Sequence, residues 1–428
     1  MFSEINQHES SLSGAVLIPI RLNVFISKLR RFDTNMRKIK IFTFVLAIGT
    51  LVVGLSGCDE LVAVLSSDDP VPTDMPQFTD LDGEIPIGVV VALTGQYASA
   101  LGIPMQNGFE LAREEINNSE MLGGATITFI IEDDQSESAV EAFNKLIYQD
   151  GVSVITGLAI SAQAIHAFPI AQENRVIAFS SVSSASGLSA LGDFIFRAGL
   201  TIDILNPSGV RITQEKFGYT KAATLYNESD LFSKTSDEAF RTALTQNGVE
   251  ILTTETFQSG DTDFAAQLTR IMALNPEAIF ISTLPQEMPL ILSQGRGLGI
   301  PDSVPIILPE LSAEQVQAAG TAAEGVITFL GWSSLAITQG NEVFIENYRE
   351  AYGTDPNAWA AQSYATLYIL ADAIAKAGST DSTAIRDALA NVMDFPTILG
   401  QFSFDPVGDA IYDPIVLVVK NGQFEVFE

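Results

Sequence analysis

The most constraining feature of this sequence is a regular alternation of short apolar runs with longer amphipathic segments. Strands that are apolar along their whole length are buried on both faces, which is typical of a parallel sheet covered by helices. The pattern therefore predicts an α/β fold. The predicted strands are residues 85–93, 126–132, 153–156 and 176–179, and the predicted helices between them are residues 104–117, 136–149 and 162–174.

The same alternation begins again at residue 203, which predicts a second α/β sheet and hence two lobes. Helices that follow this second set of strands indicate that the chain returns to complete the first lobe. The predicted strands are residues 222–226, 249–257, 278–282, 304–308, 325–330, 401–404 and 415–420, with a hairpin turn at Asn421-Gly422. The predicted helices are residues 203–216, 234–246, 263–274, 287–298, 342–352, 359–377 and 383–392.

The amino-terminal part of the chain has the features of an export signal. A basic run at residues 36–40 precedes an uncharged segment at residues 41–57 that is short for a membrane span. Its end, Leu55-Ser56-Gly57-Cys58, resembles the lipobox of bacterial lipoproteins, in which the cysteine is lipidated. Cys58 is the only cysteine of the chain, although a buried segment with a free thiol is the alternative interpretation.

We therefore predict that residues 1–57 are an extension and a lipoprotein signal, with the true start at Met36 and residues 1–35 as a gene-model extension. Residues 58–83 are rich in Asp, Ser and Pro, which predicts a solvated tether behind a lipid anchor at Cys58. The chain would then reside on the periplasmic or extracellular face of a bacterial membrane.

Composition and missing motifs exclude several function classes. The net charge of −30 lacks the basic footprint of a nucleic-acid binder. One cysteine and two histidines argue against zinc sites and internal disulfides. His166 is expected at the surface or in the core, and Asp133-Asp134 is interpreted as a solvated strand end, not as a metal site. Without nucleotide-binding or nucleophile motifs, we predict no catalytic residue, no cofactor and no metal.

Several short blocks occur in the order found in one known family. They are residues 94–98, 132–136, 157–161, 196–197, 260–264, 309–310 and 404–409. This ordered set resembles the branched-chain amino-acid (leucine/isoleucine/valine) type of substrate-binding protein, which serves ABC importers. The resemblance implies the type I periplasmic-binding-protein fold: two Rossmann-like lobes with mainly parallel sheets, joined by a hinge of three crossings. It places residues 84–203 plus 334–405 in lobe 1, and residues 204–333 plus 406–428 in lobe 2.

The resemblance also implies a ligand site between the lobes. The hydroxyls of Ser161 and Ser184 would bind a ligand carboxylate, while the Val182 carbonyl and the Glu310 carboxylate would bind its ammonium group. The structural alternatives are a helix-capping serine, a serine-rich turn and an exposed glutamate.

The side-chain pocket departs from the aromatic residues that are common in the family. Phe232 keeps an aromatic ring without a hydroxyl, and Leu101 and Leu284 stand at positions where the ring is lost. Trp359 is expected near the cleft, where core packing is favoured over ligand contact because large aromatic side chains dominate cores. An apolar pocket of this kind fits an aliphatic ligand, although amide, urea or aromatic ligands stay open.

The resulting hypothesis is a monomeric, lipid-anchored binding protein for a small amino-acid-like zwitterion, with permease and ATPase subunits of an ABC importer as partners and no nucleic-acid partner. A sensor or cell-wall-enzyme-interacting lipoprotein of the same fold is the second hypothesis. A hydrolase or dehydrogenase is disfavoured because the required motifs are missing.

Overall fold

The computed structural model describes residues 81–427. The predicted signal, Cys58 and the tether as far as residue 80 lie outside the described residues. None of the helices within 81–427 has both the length and the apolar character that crossing a membrane requires.

The first sheet has five parallel strands in the order β2-β1-β3-β4-β5. Its inner strand β1 is buried along most of its length, because helices cover both faces of the sheet. The elements are β1 (Glu84–Val91), α1 (Ile103–Asn118), β2 (Thr126–Asp133), α2 (Val140–Tyr148), β3 (Val154–Gly157), α3 (Ser161–Glu173), β4 (Ile177–Ser180) and β5 (Ile195–Arg197).

The second sheet is built from the next part of the chain in the same way. Its parallel strands run in the order β10-β9-β8-β6-β7. The elements are α4 (Ile202–Phe217), β6 (Lys221–Asn227), α5 (Leu231–Gln246), β7 (Glu250–Phe257), α6 (Ala265–Ala273), β8 (Ala278–Ser282), α7 (Met288–Gly297), β9 (Ile306–Pro309), α8 (Ala313–Ala319) and β10 (Ile327–Leu330).

The chain then returns to the lobe that contains the first sheet, here called lobe 1. The long helix α10 packs along α1 and is buried over most of its surface. Phe404 places its ring 5.6 Å from that of Phe179 and 5.1 Å from that of Phe196, which joins a small antiparallel sheet to the first sheet. The elements are α9 (Asn341–Tyr352), α10 (Ala358–Ala377), α11 (Ser382–Leu389), β11 (Phe395–Thr397), β12 (Gly400–Phe404) and β13 (Ala410–Ile411).

The last two strands belong to the second sheet and therefore to lobe 2. β14 (Ile415–Lys420) pairs antiparallel with β10, and β15 (Gln423–Val426) pairs antiparallel with β14. The turn between them is Asn421-Gly422, and both residues have positive φ, as a tight hairpin requires.

The chain crosses between the lobes between β5 and α4, between β10 and α9, and between β13 and β14. This is the predicted α/β fold with two mainly parallel sheets and a hinge of three crossings. Near the third crossing, Gly408 accepts a hydrogen bond from the backbone N–H of Arg197 in lobe 1. The residue-level lobe boundaries given above stay a prediction.

Several predicted elements need correction. Helix α2 begins at Val140 instead of residue 136, because Gln135 and Ser136 adopt positive φ and their amides donate to the carboxylates of Asp133 and Asp134. Asp134 is buried, so the interpretation of this pair as a solvated strand end is wrong for that residue. Strand β5 and helix α8 were not predicted, and α5 begins at Leu231 instead of residue 234.

Candidate functional site

The candidate site lies where the carboxyl ends of strands from both sheets face each other. In open α/β sheets this edge binds ligands, because the loops after the strands converge there. Leu101 follows β1, Ser161 follows β3, and Val182 and Ser184 follow β4; from the other lobe, Phe232 follows β6, Leu284 follows β8 and Glu310 follows β9. These seven residues and Trp359, at the start of α10, all line one cavity.

The hydroxyl groups of this cavity come from lobe 1. Ser161 is the first residue of α3, and its Oγ accepts a hydrogen bond from the backbone N–H of Ala185 at 3.2 Å. Ser161 is therefore not the helix-capping residue, which is Ile160, and its hydroxyl hydrogen is available to an acceptor. The first turn of α3 also supplies amides without intrahelical acceptors, which favours an anionic group at this end.

The serine-rich loop after β4 has a fixed conformation. Ser180 Oγ donates to the carbonyl of Leu158 at 2.8 Å and lies 2.7 Å from Ser183 Oγ. The buried guanidinium of Arg197 donates through Nη1 to the carbonyls of Ala185 and Ser183. Contacts within lobe 1 thus fix the positions of Val182 and Ser184, the loop residues that line the cavity.

Glu310 brings the acidic group of the cavity from lobe 2. It has a left-handed backbone with φ of 58°, and its amide donates to the carbonyl of Phe329 at 3.1 Å. Such a conformation is unfavourable for a non-glycine residue and often marks a functional position. Across the cleft, Ser184 Oγ donates to Glu310 Oε2 at 3.4 Å, so the two lobes meet at these two polar groups.

The enclosure of Glu310 changes its acidity. Burial between the lobes raises the pKa of its carboxyl group from 4.5 to about 7, while the hydrogen bond from Ser184 acts in the opposite direction. Desolvation disfavours the charged form of a carboxylate. A cationic group placed beside Glu310 would restore the charged form.

The rest of the cavity is mainly apolar. Leu101, Phe232, Met288 and Trp359 are buried residues, and Leu284 is half-buried. The space open to the centre of a water molecule is about 40 Å³. A single water needs about 10–15 Å³ by this measure, so the closed cavity suits a compact ligand.

Other lining residues were not predicted from the sequence: Ala159, Ile160, Thr283, Pro285, Met288 and Gln315. Gln315 lies in α8, where it forms a capping box with Ser312, and its Nε2 donates to the carbonyl of Pro285 at 3.2 Å. The spacing Ser312-x-x-Gln315 is a sequence signal for a helix start that could have revealed this element.

The remaining candidates have no role in the cavity. His166 is exposed on α3. Asp133 accepts backbone hydrogen bonds from Leu93, Thr94 and Gln135, which stabilises the turn after β1. Residues 81–427 contain no group of three or more acidic, His or Cys side chains that could hold a metal ion.

Two α/β lobes, three crossings and a ligand-sized cleft with polar groups from both sides define a bilobed solute-binding protein. The family model described as "Periplasmic binding protein" matches residues 84–423. The chain therefore belongs to this family, whose members are extracytoplasmic binding proteins and not enzymes.

Individual relatives are similar over most of the chain. A Leu/Ile/Val-binding protein of Rhizobium johnstonii is 26% identical over 337 residues, which cover 76% of this chain and 89% of the relative. A leucine-, isoleucine-, valine-, threonine- and alanine-binding protein of Pseudomonas aeruginosa is 25% identical over 351 residues, which cover 80% of this chain and 89% of the relative.

Solved structures show the same type I fold. The leucine-binding protein of Thermotoga maritima has a TM-score of 0.75 at 27% identity, covering 80% of this chain and 98% of that one. A branched-chain amino-acid transporter substrate-binding protein of Streptococcus pneumoniae, in complex with isoleucine, has a TM-score of 0.74 at 28% identity, with coverages of 80% and 98%.

Proposed function

We propose that this protein is the extracytoplasmic solute-binding lipoprotein of an ABC importer, and that it binds an aliphatic amino acid between its lobes. The observation that carries the proposal is the position of Glu310: a carboxylate from lobe 2 enclosed opposite the hydroxyls of lobe 1, in a cavity that is otherwise mainly apolar.

This arrangement suits a zwitterion. A buried ammonium group requires a paired anion, which Glu310 supplies, and the Val182 carbonyl adds a second acceptor. A buried carboxylate requires donors, which Ser161 and the first turn of α3 supply, and Ser184 supplies another once the ligand ammonium takes its place at Glu310. The apolar lining from Leu101, Phe232, Leu284 and Trp359 suits an aliphatic side chain. The amino acids named for the relatives in the preceding section have this chemistry, which supports the assignment.

The lipoprotein part of the proposal rests on residues 36–58, whose basic start, apolar run and single cysteine fit a lipidation signal. An anchor at Cys58 followed by an acidic, proline-containing tether would keep the lobes near the membrane, within reach of permease and ATPase subunits. Metabolic labelling with palmitate tests this: the wild type should be labelled and Cys58→Ser should not. Labelling that survives Cys58→Ser would refute the anchor.

Ligand binding is tested by calorimetry on the full chain with leucine, isoleucine, valine, alanine and threonine. We expect binding of at least one aliphatic amino acid, and a loss of about 100-fold or more in affinity for Glu310→Gln, because the ligand ammonium is then buried without its anion. Glu314→Gln is the matched control, since Glu314 is an exposed glutamate on the adjacent helix α8. Equal affinities for Glu310→Gln and Glu314→Gln would refute the role of Glu310.

A further inference from the structure

The cleft between the lobes consists of two chambers. The inner chamber is the cavity with Glu310 described above. The outer chamber lies beside it and is also lined from both lobes, by residues that include Tyr97, Glu137, His166 and Asp230. Near it, Gln286 Nε2 donates to the carbonyl of Gln96 at 3.3 Å, which is a direct contact between the lobes.

The two chambers have two lining residues in common, Ile160 and Leu284. Ile160 precedes α3 in lobe 1, and Leu284 follows β8 in lobe 2. Because each residue lines both chambers, the pair stands between them, one residue contributed by each lobe. This pair is called the partition here. A ligand in the inner chamber would contact Ile160 and Leu284, which separate it from the outer chamber.

The chambers differ strongly in size. The space open to the centre of a water molecule is about 40 Å³ in the inner chamber and about 290 Å³ in the outer one. The space that a long ligand side chain would need therefore exists, but it lies beyond the partition.

The chambers also differ in chemistry. The outer chamber is lined by the carboxylates of Glu137 and Asp230 and by several serine hydroxyls, without a lysine or arginine among its described lining residues. Tyr97 is only 8% exposed, and its hydroxyl has no hydrogen-bond partner among the described residues. Burial is the main reason that the pKa of this hydroxyl is raised to about 12, and the nearby carboxylates of Asp230 and Glu287 raise it further. Such surroundings attract an ammonium group and repel a carboxylate.

We propose that Ile160 and Leu284 are specificity-determining residues, which limit the length of the ligand side chain and separate it from an outer chamber that attracts cations. This inference rests on the proposed function, because it assumes an amino acid held at Glu310. The partition then selects short aliphatic side chains and excludes the long chains of basic amino acids, even though the outer chamber suits their terminal charge.

The test is calorimetry on full-length wild type, Leu284→Ala and Leu101→Ala with valine, norleucine, lysine and glutamate at pH 8. Leu101→Ala is the matched control, because Leu101 lines the inner chamber alone. We expect Leu284→Ala to bind norleucine and lysine about tenfold or more tightly than the wild type does, since the longer chains bury additional methylene groups. The gain for lysine should exceed the gain for glutamate by about tenfold, and Leu101→Ala should show no gain for lysine.

Equal gains for Leu284→Ala and Leu101→Ala would overturn the partition, and equal gains for lysine and glutamate would overturn the cation-attracting chamber. If thermal melting shows that Leu284→Ala is unfolded, Ile160→Ala opens the partition from the other lobe and decides the question in the same way. Wild-type binding of valine reports separately on the proposed function, because it does not require the partition to open.

Discussion

At the scale of single residues, the site depends on charges that the lobes enclose. The raised pKa of Glu310, about 7 against an ordinary 4.5, means that the folded protein binds a proton more strongly than the unfolded chain does. The resulting stabilisation is complete below the ordinary pKa and is lost as the pH rises towards 7. Above that pH the closed, charged cleft is unfavourable until a cation neutralises Glu310. Closure is therefore coupled to the arrival of the ligand ammonium.

The first prediction concerns the pH dependence of ligand binding. An amino acid needs the ionised form of Glu310, so protonation of Glu310 competes with binding. We expect the dissociation constant to be about tenfold larger at pH 6 than at pH 8, as follows from a group with a pKa near 7. Calorimetry across this range measures it. In Glu310→Gln the profile should be flat, and a flat profile in the wild type would contradict the coupling.

A second residue-scale prediction concerns the ion pair between Arg197 and Asp409. Arg197 is 0% exposed, and its Nη2 lies 2.7 Å from Asp409 Oδ1. Desolvation lowers the pKa of the guanidinium, and Asp409 opposes this effect. Removing one partner of a buried pair leaves an uncompensated charge. Asp409→Asn should therefore lower the free energy of unfolding by about 3–5 kcal/mol.

Urea denaturation measures this change. Asp387→Asn is the control, because Asp387 pairs with Arg386 at the surface with a side chain that is 64% exposed, and exposed pairs contribute about 0–1 kcal/mol. Similar effects of the two substitutions would show that Arg197 does not depend on Asp409. A loss of ligand affinity in Asp409→Asn is also expected, since Arg197 holds the carbonyls of the serine-rich loop.

At the scale of elements, the sequence predicts most of the fold, because apolar periodicity reports burial directly. Strand β5 was not predicted, since three residues are too few to show a period. The periodicity predicts a helix from residue 136, but α2 begins at Val140, because the carboxylates of Asp133 and Asp134 accept hydrogen bonds from the amides of Gln135 and Ser136 and hold them in a turn. These contacts depend on local geometry that composition does not reveal.

The residues of the candidate site also include some that the sequence predicts and some that it does not. Residues at strand ends, such as Ser161 and Glu310, could be predicted from their position and the family resemblance, and they do line the cavity. Met288 and Gln315 could not, because their approach to the cleft depends on how α7 and α8 pack. The sequence does not predict Ile160 as a site residue for another reason. Its proposed role in the partition follows from the cavities on both sides of it, which no sequence pattern describes.

The third prediction concerns the contact between α1 and α10. A Cβ atom added at Gly108 in α1 would lie 2.1 Å from the backbone oxygen of Ala360 in α10, so the two helices would have to separate. Gly108→Ala should lower the free energy of unfolding by about 1–3 kcal/mol, as overpacking does. Thermal or urea unfolding measures it.

The control is Gly297→Ala in α7, where an added Cβ meets open space and alanine has the higher helix propensity. This substitution should leave stability unchanged or raise it by up to about 1 kcal/mol. Equal stability of the Gly108→Ala variant and the wild type would mean that the helices can adjust at no cost.

At the scale of the whole molecule, residues from different crossings pack closely against each other at the hinge. Gly331 follows β10 in the second crossing, Tyr412 follows β13 in the third, and Gln362 lies in α10 of lobe 1. A Cβ added at Gly331 would lie 2.4 Å from Tyr412 Oη and 2.9 Å from Gln362 Nε2. Because this contact links two of the crossings to α10 of lobe 1, we expect a displacement here to change the angle between the lobes.

The fourth prediction uses this contact. Gly331→Ala should weaken binding of the ligand about tenfold, since the added methyl group must displace the side chains of Tyr412 and Gln362 at the hinge, at a cost typical of overpacking. The double variant with Tyr412→Phe should recover part of the affinity, because the hydroxyl is the nearest obstacle. Calorimetry of both single variants and the double variant gives the coupling. Additive effects would show that Gly331 and Tyr412 act independently.

The strands β14 and β15 have a consequence for how the protein is made. They extend one edge of the second sheet, and in the sequence they follow α9 to α11, which belong to the other lobe. The second sheet therefore cannot be completed until the helices of the other lobe have been synthesised, and contacts this distant in sequence form slowly. A newly made chain thus remains unfolded for longer, and an unfolded chain can pass through a narrow secretion channel.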